Sequence, residues 1–165
     1  MPLSREAVVE GLQRIVGPED VITDEHILVQ SSVDNFRKLQ NIFDVHTMPV
    51  PAAIVMARST AKVAEILRFA DENGVNVIPR TGATATEGGL ESAVADSVII
   101  DGSPMNQIVS IDAYNMQATC QCGAPLQALE DRVREQGLTT GHSPQSKPVA
   151  HMGGLVATRS IGQFS

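Results

Sequence analysis

The chain has 165 residues, 42% of them hydrophobic and 3% aromatic, and a formal net charge of −7 at pH 7. The acidic balance argues against nucleic acid, whose phosphate backbone is met by clustered Lys and Arg, and four Phe and one Tyr are too few for base-stacking platforms. No apolar run approaches the roughly 20 residues that span a bilayer, so composition describes a globular chain with one ordinary core.

Ser4 can cap a first helix over residues 4–16, where Ala7, Val8, Leu12, Ile15 and Val16 recur at helical spacing and Gly17-Pro18 ends the run. Charged residues interrupt the apolar core that a signal peptide would carry, so export is not expected and the cytoplasm is the expected compartment. Residues 20–48 alternate apolar and polar groups without a firm period and lead into an extended connector, Met48 to Pro51. Residues 1–50 are therefore expected to form a helical and extended segment ahead of a main domain over 51–165.

From Ala52 the pattern sharpens. The apolar run AAIVMA has strand length, Ser59 and Thr60 offer caps, and Val63, Ile66, Leu67 and Ala70 fall on one face of a helix that Gly74 can close. Val75 to Ile78 is a second strand, giving a β-α-β unit whose crossover joins parallel strands. Ser97–Asp101, Ile108–Asp112 and Met116–Cys122 read as three more strands. Pro125 suits the first turn of a helix that carries Leu126, Leu129 and Val133 toward the core and closes at Gly137. The expected class is α+β, with two small α/β subdomains over about 51–95 and 96–165.

Cys120 and Cys122 lie one residue apart, so on a strand they share a face and a disulfide between them would be strained. Two thiols in a reducing compartment are expected. A metal site is not, because the CxxC spacing and a second pair of ligands are lacking.

The stretch NVIPRTGATATEGG, residues 76–89, places almost only Gly, Ala and Thr after a strand. Without large side chains the backbone N–H groups of Thr81 to Thr86 can converge on an anion, and a diphosphate is the natural guest. The same composition also suits a plain turn. The Gly-Lys-Ser/Thr of a P-loop is absent, and the glycine spacing does not match the GxGxxG that opens a dinucleotide-binding helix. A second small-residue region, Thr139 to Gly162, holds a polar loop around Pro144 to Ser146 and then Gly153-Gly154. Two such surfaces suit a long ligand touched at several points.

Taken together, the PRTGATA loop at 79–85, MNQIVSID at 105–112, TGHSPQS at 140–146 and GGLVATRSIG at 153–162 resemble the PCMH-type FAD-binding domain of the vanillyl-alcohol oxidase and p-cresol methylhydroxylase family. The resemblance is strongest to the branch of alkyldihydroxyacetonephosphate synthases and D-2-hydroxyacid dehydrogenases, and it covers about residues 50–165. It implies a pyrophosphate loop at Pro79, Arg80, Thr81, Gly82, Ala83, Thr84 and Ala85. It implies further FAD contacts from the stretch Gln145, Ser146 through His151, and from Gly153, Gly154, Thr158, Arg159, Ser160 and Ile161. Thr81 and Ala83 stand where the family has glycines, and Gln145 replaces a frequent Asp. The 79–86 loop has no histidine, so the implied FAD is non-covalent.

His142 and His151 flank the implied flavin site, as hydrogen-bonding structural residues or as a base, and no residue is assigned as catalytic. Arg80 and Arg159 either balance the diphosphate or face solvent. The family's C-terminal substrate domain has no counterpart, and the chain stops at SIGQFS, so the resemblance implies a fragment or one piece of a split protein, inactive alone. The implied activity of the whole is hydride transfer from a 2-hydroxy acid or similar small alcohol to FAD. A redox-neutral synthase-type exchange and a binding module without turnover are the alternatives, and a homo-oligomer is left open.

Overall fold

The computed structural model describes residues 3–38, 43 and 48–164. The expectations for residues 20–48 and for the chain ends therefore fall partly outside the described residues, at 39–42, 44–47, 1–2 and 165. Two units make up the chain: Met1–Arg80 with Ala85–Asp101, and Thr81–Thr84 with Gly102–Ser165. The expected boundary near 90–96 precedes strand Val98–Asp101, which stays in the first unit.

The first unit begins with helix α1, Arg5–Val16, where the Ser4 side chain accepts the Ala7 N–H and Gly17 ends the last turn. A one-turn 3-10 helix, Pro18–Asp20, leads to the short edge strand β1, Val21–Ile22, and then to helix α2, Glu25–Ser31, capped by Asp24. Strand β2, Ala53–Met56, helix α3, Thr60–Asn73, and strand β3, Val77–Arg80, realise the expected β-α-β run. Ser59 caps α3, accepting from Lys62 N–H, and Gly74 closes it in the left-handed conformation.

Strand β4, Val98–Asp101, lies between β2 and β3 and runs parallel to both, so the sheet order is β1-β2-β4-β3 with β1 antiparallel at one edge. The two arms of the β-α-β unit are thus parallel but not neighbours. All four β4 residues are buried, as a strand flanked on both sides must be. Ile54, Ile78 and Ile99, one from each parallel strand, meet Leu28 of α2 in the core. Val8 and Leu12 of α1 and Ile66 and Ala70 of α3 are buried as well. Leu67, expected on the inner face of α3, is 46% exposed, because the buried stripe there runs through Ile66 and Ala70.

The segment after α2, unreadable by period, is held to the chain around residues 85–92. Asn35 N–H donates to Ala85 O at 3.1 Å and Ser92 N–H to Ser32 O at 2.9 Å, while Arg37 and Glu91 form an ion pair. Asp34 is fully buried and accepts the N–H groups of Phe36 and Gly88.

The second unit holds a hairpin of β5, Ile108–Asp112, and β6, Gln117–Cys120, followed by helix α4, Leu126–Arg134, and the short helix α5, Met152–Ala157. Leu126, Ala150 and Leu155 form its core cluster, with Met152 packed against it. Pro125 stands just ahead of α4, and the turn after the helix ends at Gly137, whose N–H bonds Arg134 O.

Replacing the buried Asp34 by Ala removes the acceptor of two part-buried N–H donors, so Asp34→Ala is expected to cost about 2 kcal/mol in urea unfolding. A loss under half that size would remove Asp34 as the anchor of this segment.

Candidate functional site

Strand β3 delivers the small-residue loop. At its end Arg80 pairs with Asp101, its register partner on β4, with Nε donating to Oδ2 at 2.9 Å. The two side chains are 15% and 8% exposed, so Arg80 is committed to the sheet end and does not face solvent. Pro79 lies in the same strand opposite Ile100, and Ala85 accepts the Asn35 N–H.

The four residues between, Thr81–Thr84, belong to the second unit and are packed within it. Thr81 O accepts the Ser103 hydroxyl at 2.9 Å. A β-carbon at Gly82 would meet Val149 O at 2.7 Å and His151 N at 2.9 Å, so only glycine permits this approach. The loop therefore touches the second implied contact stretch directly. Gly153 is similarly enclosed: its N–H donates to Cys122 O at 2.7 Å, and a β-carbon there would sit 2.7 Å from that residue's Cβ. At Gly154 the nearest neighbour of such an atom is Thr81 Oγ1 at an ordinary 3.5 Å. The structure thus gathers Thr81, Gly82, Val149, His151 and Gly154 from both small-residue regions.

Ala83, which stands where the resembled family has glycine, takes φ +52°, the left-handed conformation usually left to glycine. A left-handed residue within such a run turns successive N–H groups toward one side, the geometry of an anion nest. Among the described residues the N–H groups of Thr81, Gly82 and Thr84 donate to no protein acceptor. A diphosphate offers only acceptor oxygens, so this donor set fits the pyrophosphate of FAD.

The remaining implied contacts cluster in the same unit. Gln145 is exposed, whereas Ser146 O accepts the N–H groups of Val149 and Ala150 at 2.9 and 2.8 Å. Thr158 donates its hydroxyl to Gly154 O at 2.9 Å, Arg159 is exposed with φ +49°, and Ile161 is 81% exposed. Ser160 Oγ and His142 Nε2 share a hydrogen bond of 3.3 Å, whose direction follows the ring tautomer.

Cys120 and Cys122 are both half-buried free thiols. Burial, with Cys122 adding, pushes the Cys120 thiol above its ordinary value, away from reactive thiolate.

Glu130 was missed by the sequence reading. It is 1% exposed and accepts from Arg134 Nε at 2.6 Å, the Thr139 hydroxyl at 2.8 Å, and Thr140 through both its N–H at 2.9 Å and its hydroxyl at 2.6 Å. Burial alone would raise the carboxyl; the hydrogen bonds, led by those from Thr140, outweigh it and bring it to about 2. The available signal was its place on the apolar stripe of α4, four residues after Leu126 and three before Val133.

This architecture defines a PCMH-type FAD-binding domain. The chain belongs to the FAD binding domain family, whose pattern matches residues 51–165. It is 59% identical over 165 residues to the uncharacterized FAD-linked oxidoreductase YgcU of Escherichia coli (strain K12), covering all of this chain and 34% of that protein. The mitochondrial D-2-hydroxyglutarate dehydrogenase of Bos taurus is 34% identical over 152 residues, 92% of this chain and 26% of the enzyme. A solved structure of alkyldihydroxyacetonephosphate synthase aligns with TM-score 0.84 at 26% identity, over 98% of this chain and 33% of its own. That of p-cresol methylhydroxylase, at 20% identity and TM-score 0.75 over 95% and 30% of the two chains, shares the fold. The chain spans about a third or less of the length of these curated relatives. Among the described residues no helix is long and apolar enough to cross a membrane.

Gly153→Ala is expected to lower stability by about 1–3 kcal/mol, since the opposing backbone must move, while Gly154→Ala is expected to stay within about 0.5 kcal/mol. Thermal melts of the two variants decide; equal melts would refute the close approach at Gly153. Glu130 has a folded-state value below its ordinary 4.5, so its stabilisation is complete above pH 4.5 and disappears as pH falls through about 2. The stability gap between wild type and Glu130→Gln should therefore narrow below pH 4.5 in acid titrations, and a constant gap would refute the depressed value.

Proposed function

We propose that the chain is the FAD-binding portion of a flavin-dependent dehydrogenase that oxidises a 2-hydroxy acid or a similar small alcohol. The observation that carries this reading is the loop of Thr81–Thr84, where the N–H donors of Thr81, Gly82 and Thr84, uncommitted among the described residues, and the left-handed backbone at Ala83 suit a diphosphate. The FAD binding domain match over 51–165 and the identity to a D-2-hydroxyglutarate dehydrogenase support it.

FAD, when bound, supplies the hydride-accepting chemistry. This chain's residues hold and orient it: the loop donors on the diphosphate, and Gly153, Gly154 and Thr158 to Ile161 along its flank. Attachment is non-covalent, because residues 79–86 contain no His, Cys or Tyr to form a flavin link. Groups that bind the substrate and take its hydroxyl proton come from outside these 165 residues, a reading supported by the 34% coverage of the first relative.

A second reading is a redox-neutral exchange of an acyl for an alkyl group on a ketone phosphate, favoured by the TM-score of 0.84 to the synthase. The two separate in one anaerobic experiment on the full-length polypeptide carrying this domain. D-lactate or D-2-hydroxyglutarate is expected to bleach the flavin absorbance, and acid precipitation to release the flavin to the supernatant. Turnover of acyl-dihydroxyacetone phosphate without bleaching by any hydroxy acid would replace the first reading by the second, and flavin retained in the pellet would overturn non-covalent attachment.

A further inference from the structure

The loop between α4 and α5 is fastened to α4 at both of its ends. At one end Leu126 N–H donates to Ala150 O and Met152 N–H to Ala124 O, each at 2.9 Å. At the other, Glu130 gathers Thr139 and Thr140 around a buried carboxylate, with Arg134 at 2.6 Å and Lys147 Nζ at 3.7 Å balancing its charge. From Thr140 the contacts continue outward. Its hydroxyl oxygen accepts the His142 N–H at 3.5 Å, His142 Nε2 meets Ser160 Oγ at 3.3 Å, and Ser143 O accepts the Gln163 N–H at 3.1 Å. A charged acceptor with four short hydrogen bonds is a stiff origin for such a chain.

We propose that Glu130 is a positioning residue for FAD binding: acting through Thr140 and His142, it fixes Ser160 and so ties the 139–146 loop to the flavin-flanking stretch 158–161. The inference rests on the FAD-binding reading of those stretches given above. Glu130 itself touches no ligand. A carboxylate buried among apolar neighbours at a desolvation cost is replaceable by a hydrophobic residue where only helix packing is at stake. Here every one of its loop contacts leads to a segment whose placement matters to the cofactor.

The test is a double-mutant cycle read by FAD fluorescence titration on the full chain: wild type, Glu130→Gln, Ser160→Ala and both together. Glu130→Gln is expected to weaken FAD about tenfold. The double variant is expected to bind at least about threefold better than the product of the single effects predicts, because each substitution breaks the same chain of contacts. Unconnected losses of stability would instead multiply. Multiplicative effects, or Glu130→Gln within twofold of wild type, overturn the inference and leave the FAD-binding reading standing. A wild-type chain that takes up no FAD overturns that reading and the inference with it. Should Glu130→Gln fail to fold, Thr140→Val, which keeps the N–H bond and removes both hydroxyl links, takes its place in the cycle with the same deciding outcomes.

Discussion

Two stretches of backbone in direct contact, with no side chain between them, are the constraint on which the second unit depends. Gly82 lies against Val149 and His151, and Gly153 against Cys122, at distances that exclude a β-carbon. Close apposition of this kind offers little apolar burial, so it persists because hydrogen bonds such as Gly153 N–H to Cys122 O secure it and the surrounding core keeps it in place. It also explains the poverty of side chains in the loop more directly than a ligand does. Of the alternatives in the sequence, the tight turn is required at Gly82 by packing alone. Gly82 serves the protein's own packing, while among the described residues the N–H groups of Thr81 and Thr84 donate to no protein acceptor.

Within each unit, buried carboxylates set local geometry. Asp101 holds Arg80 at the end of β3, Asp34 holds the chain near Gly88, and Glu130 holds Thr139 and Thr140. Each loses hydration on folding, so each is stable only with its donors in place, and any other arrangement of the same chain would leave a bare charge inside. Their contribution is therefore better described as selecting one loop conformation than as adding stability. Arg80 illustrates the consequence: a cation beside a small-residue loop looks like a ligand group, yet its fork is occupied by the Asp101 carboxylate of the next strand, β4.

Local chemistry in the sequence determined the caps at Ser4 and Ser59, the helix stop at Gly74, the strands around Ile54, Ile99 and Ile111, and the motif set that marks an FAD-binding domain, because these depend on neighbours within a few residues. Tertiary structure alone decided that β4 separates β2 from β3, that Leu67 faces outward, that Asp34 and Glu130 are buried, and that Gly82 is needed for the protein's own packing. Strand order and burial of a charge depend on partners tens of residues away, and the same local pattern is compatible with several such partners until the chain has closed on one of them.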